Sequence, residues 1–123
     1  MTAWVEKLCA IAFRWKTGNA SIRMLFEAAS PELTNRDEFL GAVAGWLRQH
    51  PELIDEWYGY AVDKRVDRGP YFKFGDEGGC AEVGFYDPDR GYLDVMHHSD
   101  PADACADFLW REANWILRRE RVS

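Results

Sequence analysis

Two alternating segments followed by a long amphipathic helix, within residues 81–117, restrict the possible folds of this chain more than any other feature. Hydrophobic and polar residues alternate over residues 81–87 and again over 92–98, which is the period of a half-buried strand. The intervening Asp-Pro-Asp-Arg-Gly supplies Pro88 and Gly91, which suit a turn. These residues predict a β-hairpin.

The turn also predicts the register of the hairpin. With Tyr86 opposite Tyr92, the pairs that face the core are Phe85 with Leu93, Val83 with Val95, and Ala81 with His97. The outer face of the hairpin then carries Glu82, Tyr86, Tyr92, Asp94, Met96 and His98. This face combines aromatic residues with carboxylates.

A clear helix start follows the hairpin. Asp100 is predicted to be the N-cap, and Pro101 suits the first helical position. The hydrophobic face of this helix comprises Ala102, Ala106, Leu109, Ala113, Ile116 and Leu117. Large apolar residues flank it, so we expect both the sheet and an N-terminal helix to cover it. A narrow polar strip remains, made of Asp103, Asp107, Arg111, Asn114 and Arg118.

Four helices are predicted before the sheet. Apolar residues at helical spacing indicate them over residues 2–15, 22–29 and 36–49, and from Pro51 onward. Either Asn19 or Ser21 caps the second helix, and Asn35 with Glu38 forms a capping-box-like pair before the third.

A short strand at residues 71–74 and a glycine-rich acidic run at 75–79 connect these helices to the hairpin. The run lacks the Lys-Ser/Thr of a phosphate-binding loop and precedes a strand, so a mobile acidic loop is expected. The predicted fold is one α+β domain with a helical part at 1–66. Residues 67–123 add a small three-stranded antiparallel sheet and a C-terminal helix packed on it.

Length and composition support a folded single domain. The chain has 123 residues, of which 47% are hydrophobic, and its 6 Trp, 7 Phe and 5 Tyr supply bulky core material. It has no apolar run of about 18 residues, and charges interrupt the N-terminal apolar residues. We therefore expect neither a membrane span nor a signal peptide, and a cytoplasmic protein.

The net charge of −6 is unevenly distributed. Residues 52–107 contain fourteen acidic and five basic residues, a net charge of −9, whereas residues 1–51 carry +1 and residues 108–123 carry +2. Such a surface repels nucleic-acid phosphates and anionic lipid and attracts a basic protein. The acidic start of the fourth helix also argues against a DNA-binding helix-turn-helix.

The cysteines and histidines show no metal-ligand spacing. Cys9, Cys80 and Cys105 are odd in number and far apart, which predicts buried, unreactive thiols instead of a disulfide framework or zinc site. His97 and His98 are adjacent in a strand and so point to opposite faces. We expect no metal, no cofactor and no catalytic residue.

Two surfaces are candidates for contact with a partner. The first is an acidic stripe on the fourth helix, where Tyr58 projects beside Glu52, Asp55, Glu56 and Asp63. The second is the outer hairpin face, with Glu82, Tyr86, Asp94 and His98. Aromatic residues amid carboxylates are typical anchors for a basic protein. The alternative interpretation of the stripe is an ordinary solvated helix face.

In its size, acidic charge, aromatic richness and α+β order, the chain resembles the small acidic immunity proteins of bacterial polymorphic and contact-dependent toxin systems. The segments DEWYGYAVDKR and DPADACADFLWREANWIL also look like those of small actinobacterial proteins. The resemblance implies a cytoplasmic, non-enzymatic inhibitor that masks the basic active site of a cognate toxin.

Two alternatives to the inhibitor stay open, together with the oligomeric state. One is a small ligand-binding domain or enzyme that uses Glu82, Asp94 and His98 on the outer sheet face. The other is a regulatory subunit that self-associates through its aromatic surface.

Overall fold

The computed structural model describes residues 3–63, 68–74 and 80–122 of the chain. These residues form six helices and a three-stranded antiparallel sheet, in the order α1 (Ala3–Cys9), α2 (Ile11–Thr17), α3 (Ile22–Ala29), α4 (Arg36–Gln49), α5 (Glu52–Asp63), β1 (Gly69–Phe74), β2 (Ala81–Asp87), β3 (Gly91–His98) and α6 (Pro101–Arg118). The α+β class and the packing of the last helix on the sheet are confirmed. The acidic loop expected at 75–79 lies outside the described residues.

Helix α6 is the centre of the fold. It contacts all three strands and also α3, α4 and α5, and every residue from 104 to 114 is buried. Phe108 stacks on Phe72 of β1, with ring centroids 5.8 Å apart, and Trp110 meets the ring of Phe39 in α4. The surrounding elements also bury most of the predicted polar strip of α6, because Asp107, Arg111 and Asn114 are all buried.

Local capping residues define the helix starts, as predicted. The Asn35 side chain accepts a hydrogen bond from the Glu38 N–H at 3.1 Å, and Asp100 accepts one from the Ala102 N–H at 2.9 Å. Of the two candidate caps for α3, the structure selects Ser21, whose hydroxyl oxygen accepts a hydrogen bond from the backbone of the first turn.

The single helix predicted over residues 2–15 is wrong, because the structure divides it at Ala10 into α1 and α2. The two halves pack on different neighbours: α1 contacts α3 and α4, whereas α2 contacts α3 and α5. The Trp15 ring accordingly lies against Tyr60 of α5 at 5.1 Å between centroids. The Ala10 N–H still donates to the Glu6 carbonyl and the Arg14 N–H to the Ala10 carbonyl, so the two helices stay hydrogen-bonded across the division.

The hairpin register is confirmed near the turn and wrong beyond it. The confirmed pairs are Tyr86 with Tyr92 and Phe85 with Leu93, and the pairs beyond them are Val83 with Met96, Glu82 with His97, and Ala81 with His98. A β-bulge separates the two sets and places Asp94 and Val95 opposite Gly84. Asp94 has the left-handed φ of 54°. One extra residue exchanges the faces of all later residues in β3.

The prediction that all three cysteines are buried is wrong for one of them. Cys9 and Cys105 are buried in the core, whereas Cys80 is exposed immediately before β2. Burial raises the pKa of Cys9 to about 12, and burial also raises that of Cys105. These two thiols are therefore poor nucleophiles in the folded protein.

Candidate binding surface

Three tyrosines form a continuous aromatic surface on the side of the sheet that faces away from α6. Tyr92 meets Tyr71 at 5.5 Å and Tyr86 at 5.3 Å between ring centroids. Tyr71 and Tyr86 come from neighbouring strands, and Tyr92 lies directly opposite Tyr86. We call these three rings, with Lys73 and Glu82 beside them, the tyrosine face. Tyr92 is its most exposed ring, at 62%.

Glu82 is the polar centre of the tyrosine face. Its Oε2 accepts a hydrogen bond from the Tyr71 hydroxyl at 2.5 Å and lies 3.6 Å from Lys73 Nζ, and its Oε1 lies 3.2 Å from His97 Nε2. The hydrogen bond from Tyr71 is the largest cause that holds the pKa of the Glu82 carboxyl below its usual range, with further contributions from Lys73 and His97. The carboxylate is therefore held in one place and kept charged, which makes it a weak proton acceptor.

The predicted position of His98 on the outer face is wrong. The bulge turns it toward α6, where its Nε2 lies 2.8 Å from Oδ2 of the fully buried Asp107. Arg111 completes this internal network, since its Nε donates to Asp107 Oδ1 at 2.9 Å and its Nη1 donates to the Asp94 carbonyl at 2.6 Å. His97 takes the outer position beside Glu82 instead.

Asp94 is exposed, as predicted, but it also contacts α6 and the segment that follows it. Its carboxylate lies 3.2 Å from Nε of Arg121, which follows α6, and its backbone is held at the bulge by Arg111. Asp94 and His98 therefore contribute to the attachment of β3 to α6. The three side chains proposed for a site around the sheet, Glu82, Asp94 and His98, do not converge.

The acidic stripe on α5 is at the surface, as its sequence pattern indicates. Glu52, Asp55 and Asp63 are exposed, and Glu56 is half-buried and lies 3.5 Å from Lys16 Nζ. Within the part of the chain that the structure describes, neither Asp55 nor Asp63 forms an ion pair. A cavity of about 190 Å³ lies between this stripe and α2.

Tyr58 does not project beside the stripe, which corrects that prediction. Its ring packs on Phe74 and Phe72 of β1, at 4.7 Å and 5.9 Å between centroids. Tyr58 is therefore half-buried and attaches α5 to the sheet.

The two candidate surfaces meet along the last turn of α5. Val62 is 63% exposed and lines a cavity of about 350 Å³ with the three tyrosines, and the next residue, Asp63, lines the cavity on the acidic side. The sequence predicts the stripe and the outer hairpin face as separate features. The contact of α5 with β1 makes them one continuous surface.

Much of the acidic segment is neutralised within the fold. Asp100 and Asp103 both bind Arg48 of α4, at 2.9 Å and 2.6 Å. The buried Asp87 lies 3.3 Å from Arg90 and 3.5 Å from Arg68. Because Arg48 lies outside residues 52–107, its pairing with Asp100 and Asp103 means that the charge of −9 counted along that segment overstates the charge left unpaired in the fold.

Sequence reasoning missed Tyr71, Lys73, His97 and Val62. A signal for the first two exists, because Tyr71 and Lys73 alternate with Phe72 and Phe74 in a strand and so share the face opposite the core. The position of His97 depends on the bulge and has no such signal.

The described residues contain no group of three or more His, Cys, Asp or Glu side chains that could hold a metal ion. None of the helices in the described ranges has the length and apolar character needed to cross a membrane. No family model matches the chain, and no curated protein or solved structure matches it either.

Proposed function

We propose that this chain is an inhibitory protein-binding domain of the immunity kind, which acts in the cytoplasm by covering the basic active site of a toxin. The observation that carries the proposal is the continuity of the α5 stripe with the tyrosine face. Tyrosine rings supply binding energy at the centre of an interface, and exposed carboxylates attract a basic partner and orient it.

The exposed charge on α5 supports a partner of basic character. Glu52, Asp55 and Asp63 are exposed on one helix, and the first two lie in the first turn. Exposed charges act mainly on the rate of association and are screened by salt. The proposal therefore predicts a partner whose association slows as ionic strength rises.

The test uses the purified chain as bait for proteins of the host cell. Wild type is compared with a charge-reversed variant, Glu52→Lys with Asp55→Lys and Asp63→Lys. A matched control reverses three exposed carboxylates elsewhere, Glu6, Glu32 and Glu120. We expect wild type and control to retain a basic protein at about 50 mM NaCl, and the α5 variant to lose it.

Retention of the same basic protein by the α5 variant would contradict the role of the stripe. Failure to retain any basic protein would contradict the proposed function. If a partner is retained, its association rate should fall between about 50 mM and about 300 mM NaCl for wild type and much less for the α5 variant.

No observation favours the alternative of an enzyme or ligand-binding domain built on Glu82, Asp94 and His98. Asp94 is paired with Arg121, and His98 is paired with Asp107. Self-association through the tyrosine face would appear as a concentration-dependent mass in light scattering. The inhibitor proposal expects the free chain to keep one mass over that range.

A further inference from the structure

Lys73 lies in a place that is built to attract a cation. Its Nζ is 5.5 Å from the centre of the Tyr92 ring, 5.7 Å from the centre of the Tyr71 ring and 3.6 Å from Glu82 Oε2. The faces of aromatic rings carry negative potential, and a carboxylate adds a full charge. Two rings and one carboxylate therefore act on the same ammonium group.

Lys73 does not fill the space beside it. The cavity of about 350 Å³ extends from Lys73 past Tyr92 and Tyr86 to Val62 of α5. The Lys73 side chain is 53% exposed and has a flexible stem, so its contacts are weak and easily exchanged. The free protein thus holds its own cation at the edge of a larger open site.

The carboxylate in this site is fixed independently of Lys73. Tyr71 and His97 contact separate oxygens of Glu82, so Glu82 keeps its position when Lys73 moves away. Departure of Lys73 exposes Oε2 to a second donor. A planar guanidinium suits the vacated place better than an ammonium, because it stacks on an aromatic ring while donating to a carboxylate.

We propose that Lys73 occupies the binding position of an arginine side chain of the partner. On binding, that arginine displaces Lys73, stacks on Tyr92 and pairs with Glu82. This inference rests on the proposed function for the identity of the partner as a basic protein. The binding of a guanidinium at the tyrosine face stands on the geometry of the site.

The test needs no partner, because the probe is N-acetyl-arginine methylamide, followed through the NMR signals of the tyrosine rings. The uncharged isostere N-acetyl-citrulline methylamide is the matched control probe. We expect the arginine probe to shift the ring signals of Tyr92 and Tyr86 in a saturable manner, and the citrulline probe to have much weaker effects.

Variants assign the site. Lys73→Met removes the competing cation and should lower the Kd of the arginine probe by about two- to fivefold, whereas Tyr92→Leu in that background should raise it by a similar factor. If Tyr92→Leu fails to fold, Tyr86→Leu removes a neighbouring ring instead and should also raise the Kd. Glu6→Gln and Glu32→Gln together, at exposed positions outside both candidate surfaces, should leave the Kd unchanged.

Weaker binding by Lys73→Met, or equal effects of the two probes, would overturn the inference. A basic partner retained by wild type in the bait experiment would then still support the proposed function, with its contacts centred on α5. Conversely, arginine-specific binding without any retained basic protein would support the guanidinium site and contradict the inhibitor proposal.

Discussion

Tyr71 lies directly over Gly84, so that a Cβ at residue 84 would be 2.7 Å from the Tyr71 hydroxyl oxygen and 2.9 Å from two of its ring carbons. The two residues are cross-strand partners in β1 and β2. The Tyr71 hydroxyl donates a hydrogen bond to Glu82, so the ring cannot move aside without losing that hydrogen bond. The glycine is what allows the tyrosine face to form.

Gly84→Ala should therefore lower the free energy of unfolding by about 1–3 kcal/mol, as expected for an overpacked site, measured by urea denaturation. In a Tyr71→Ala background the same substitution should cost much less, and an unchanged cost would refute the role of the ring. Gly41→Ala is the control, because its Cβ meets nothing within 4 Å in α4. It should be neutral or stabilise by up to about 1 kcal/mol.

Arg111 is 2% exposed and pairs with the fully buried Asp107. Arg111→Ala leaves that carboxylate with fewer donors in the core and should cost about 3–5 kcal/mol in chemical denaturation. His97→Ala, at an exposed position, is the control and should cost far less. If Arg111→Ala lowers the free energy of unfolding no more than His97→Ala does, the internal network contributes little to stability.

The backbone conformation at the bulge restricts which residues can occupy position 94. Asp94 has a positive φ, which asparagine tolerates and a β-branched residue does not. Asp94→Val should destabilise by about 1–2 kcal/mol more than Asp94→Asn. Both variants lose the charge pair with Arg121, and Arg121→Gln measures that loss alone. Equal stability of the valine and asparagine variants would indicate a different backbone at the bulge.

Stability should fall in acid partly through Asp100. The Ala102 N–H, and then Arg48, hold the pKa of Asp100 below its usual range, so its contribution is complete above the pKa of the unfolded chain. That contribution is lost as the pH falls through the native pKa. Asp100→Asn keeps a cap without the charge, so its deficit relative to wild type should be largest near pH 7, begin to shrink near about pH 4 and vanish only below the lowered native pKa of Asp100. Urea denaturation over this pH range measures the stability deficit of Asp100→Asn. A deficit that grows in acid would contradict the prediction.

Thiol reactivity should separate the three cysteines. In the native protein at about pH 8, we expect Ellman's reagent to modify Cys80 rapidly, while Cys9 and Cys105 react only after unfolding. Cys80→Ser should abolish the rapid phase. A rapid phase that persists in this variant would show that one of the two buried thiols becomes accessible in the native state.

Local signals account for the parts of the fold that could be predicted. Asn35, Asp100 and Pro101 define helix starts through bonds to their own first turns, so no distant residue is needed to recognise them. The hairpin pairs next to the turn are equally local. The acidic stripe on α5 also follows from the helical repeat, which places its carboxylates on one face.

Predictions failed where distant contacts decide the outcome. Tyr58 has no local reason to turn away from solvent, and it does so because β1 presents Phe72 and Phe74 beside it. The two parts of the first predicted helix both contact α3, but α1 also packs on α4, whereas α2 also packs on α5.

The sequence by itself determined the α+β class, most helix starts, the hairpin and the acidic face of α5, because each depends on periodicity or on bonds within a few residues. Only the tertiary structure decided which histidine faces outward and whether the two candidate surfaces join. The first depends on the bulge at Asp94, where Arg111 of α6 holds the backbone. The second depends on the contact of α5 with β1. Both are contacts between segments far apart in the chain, which no local pattern records.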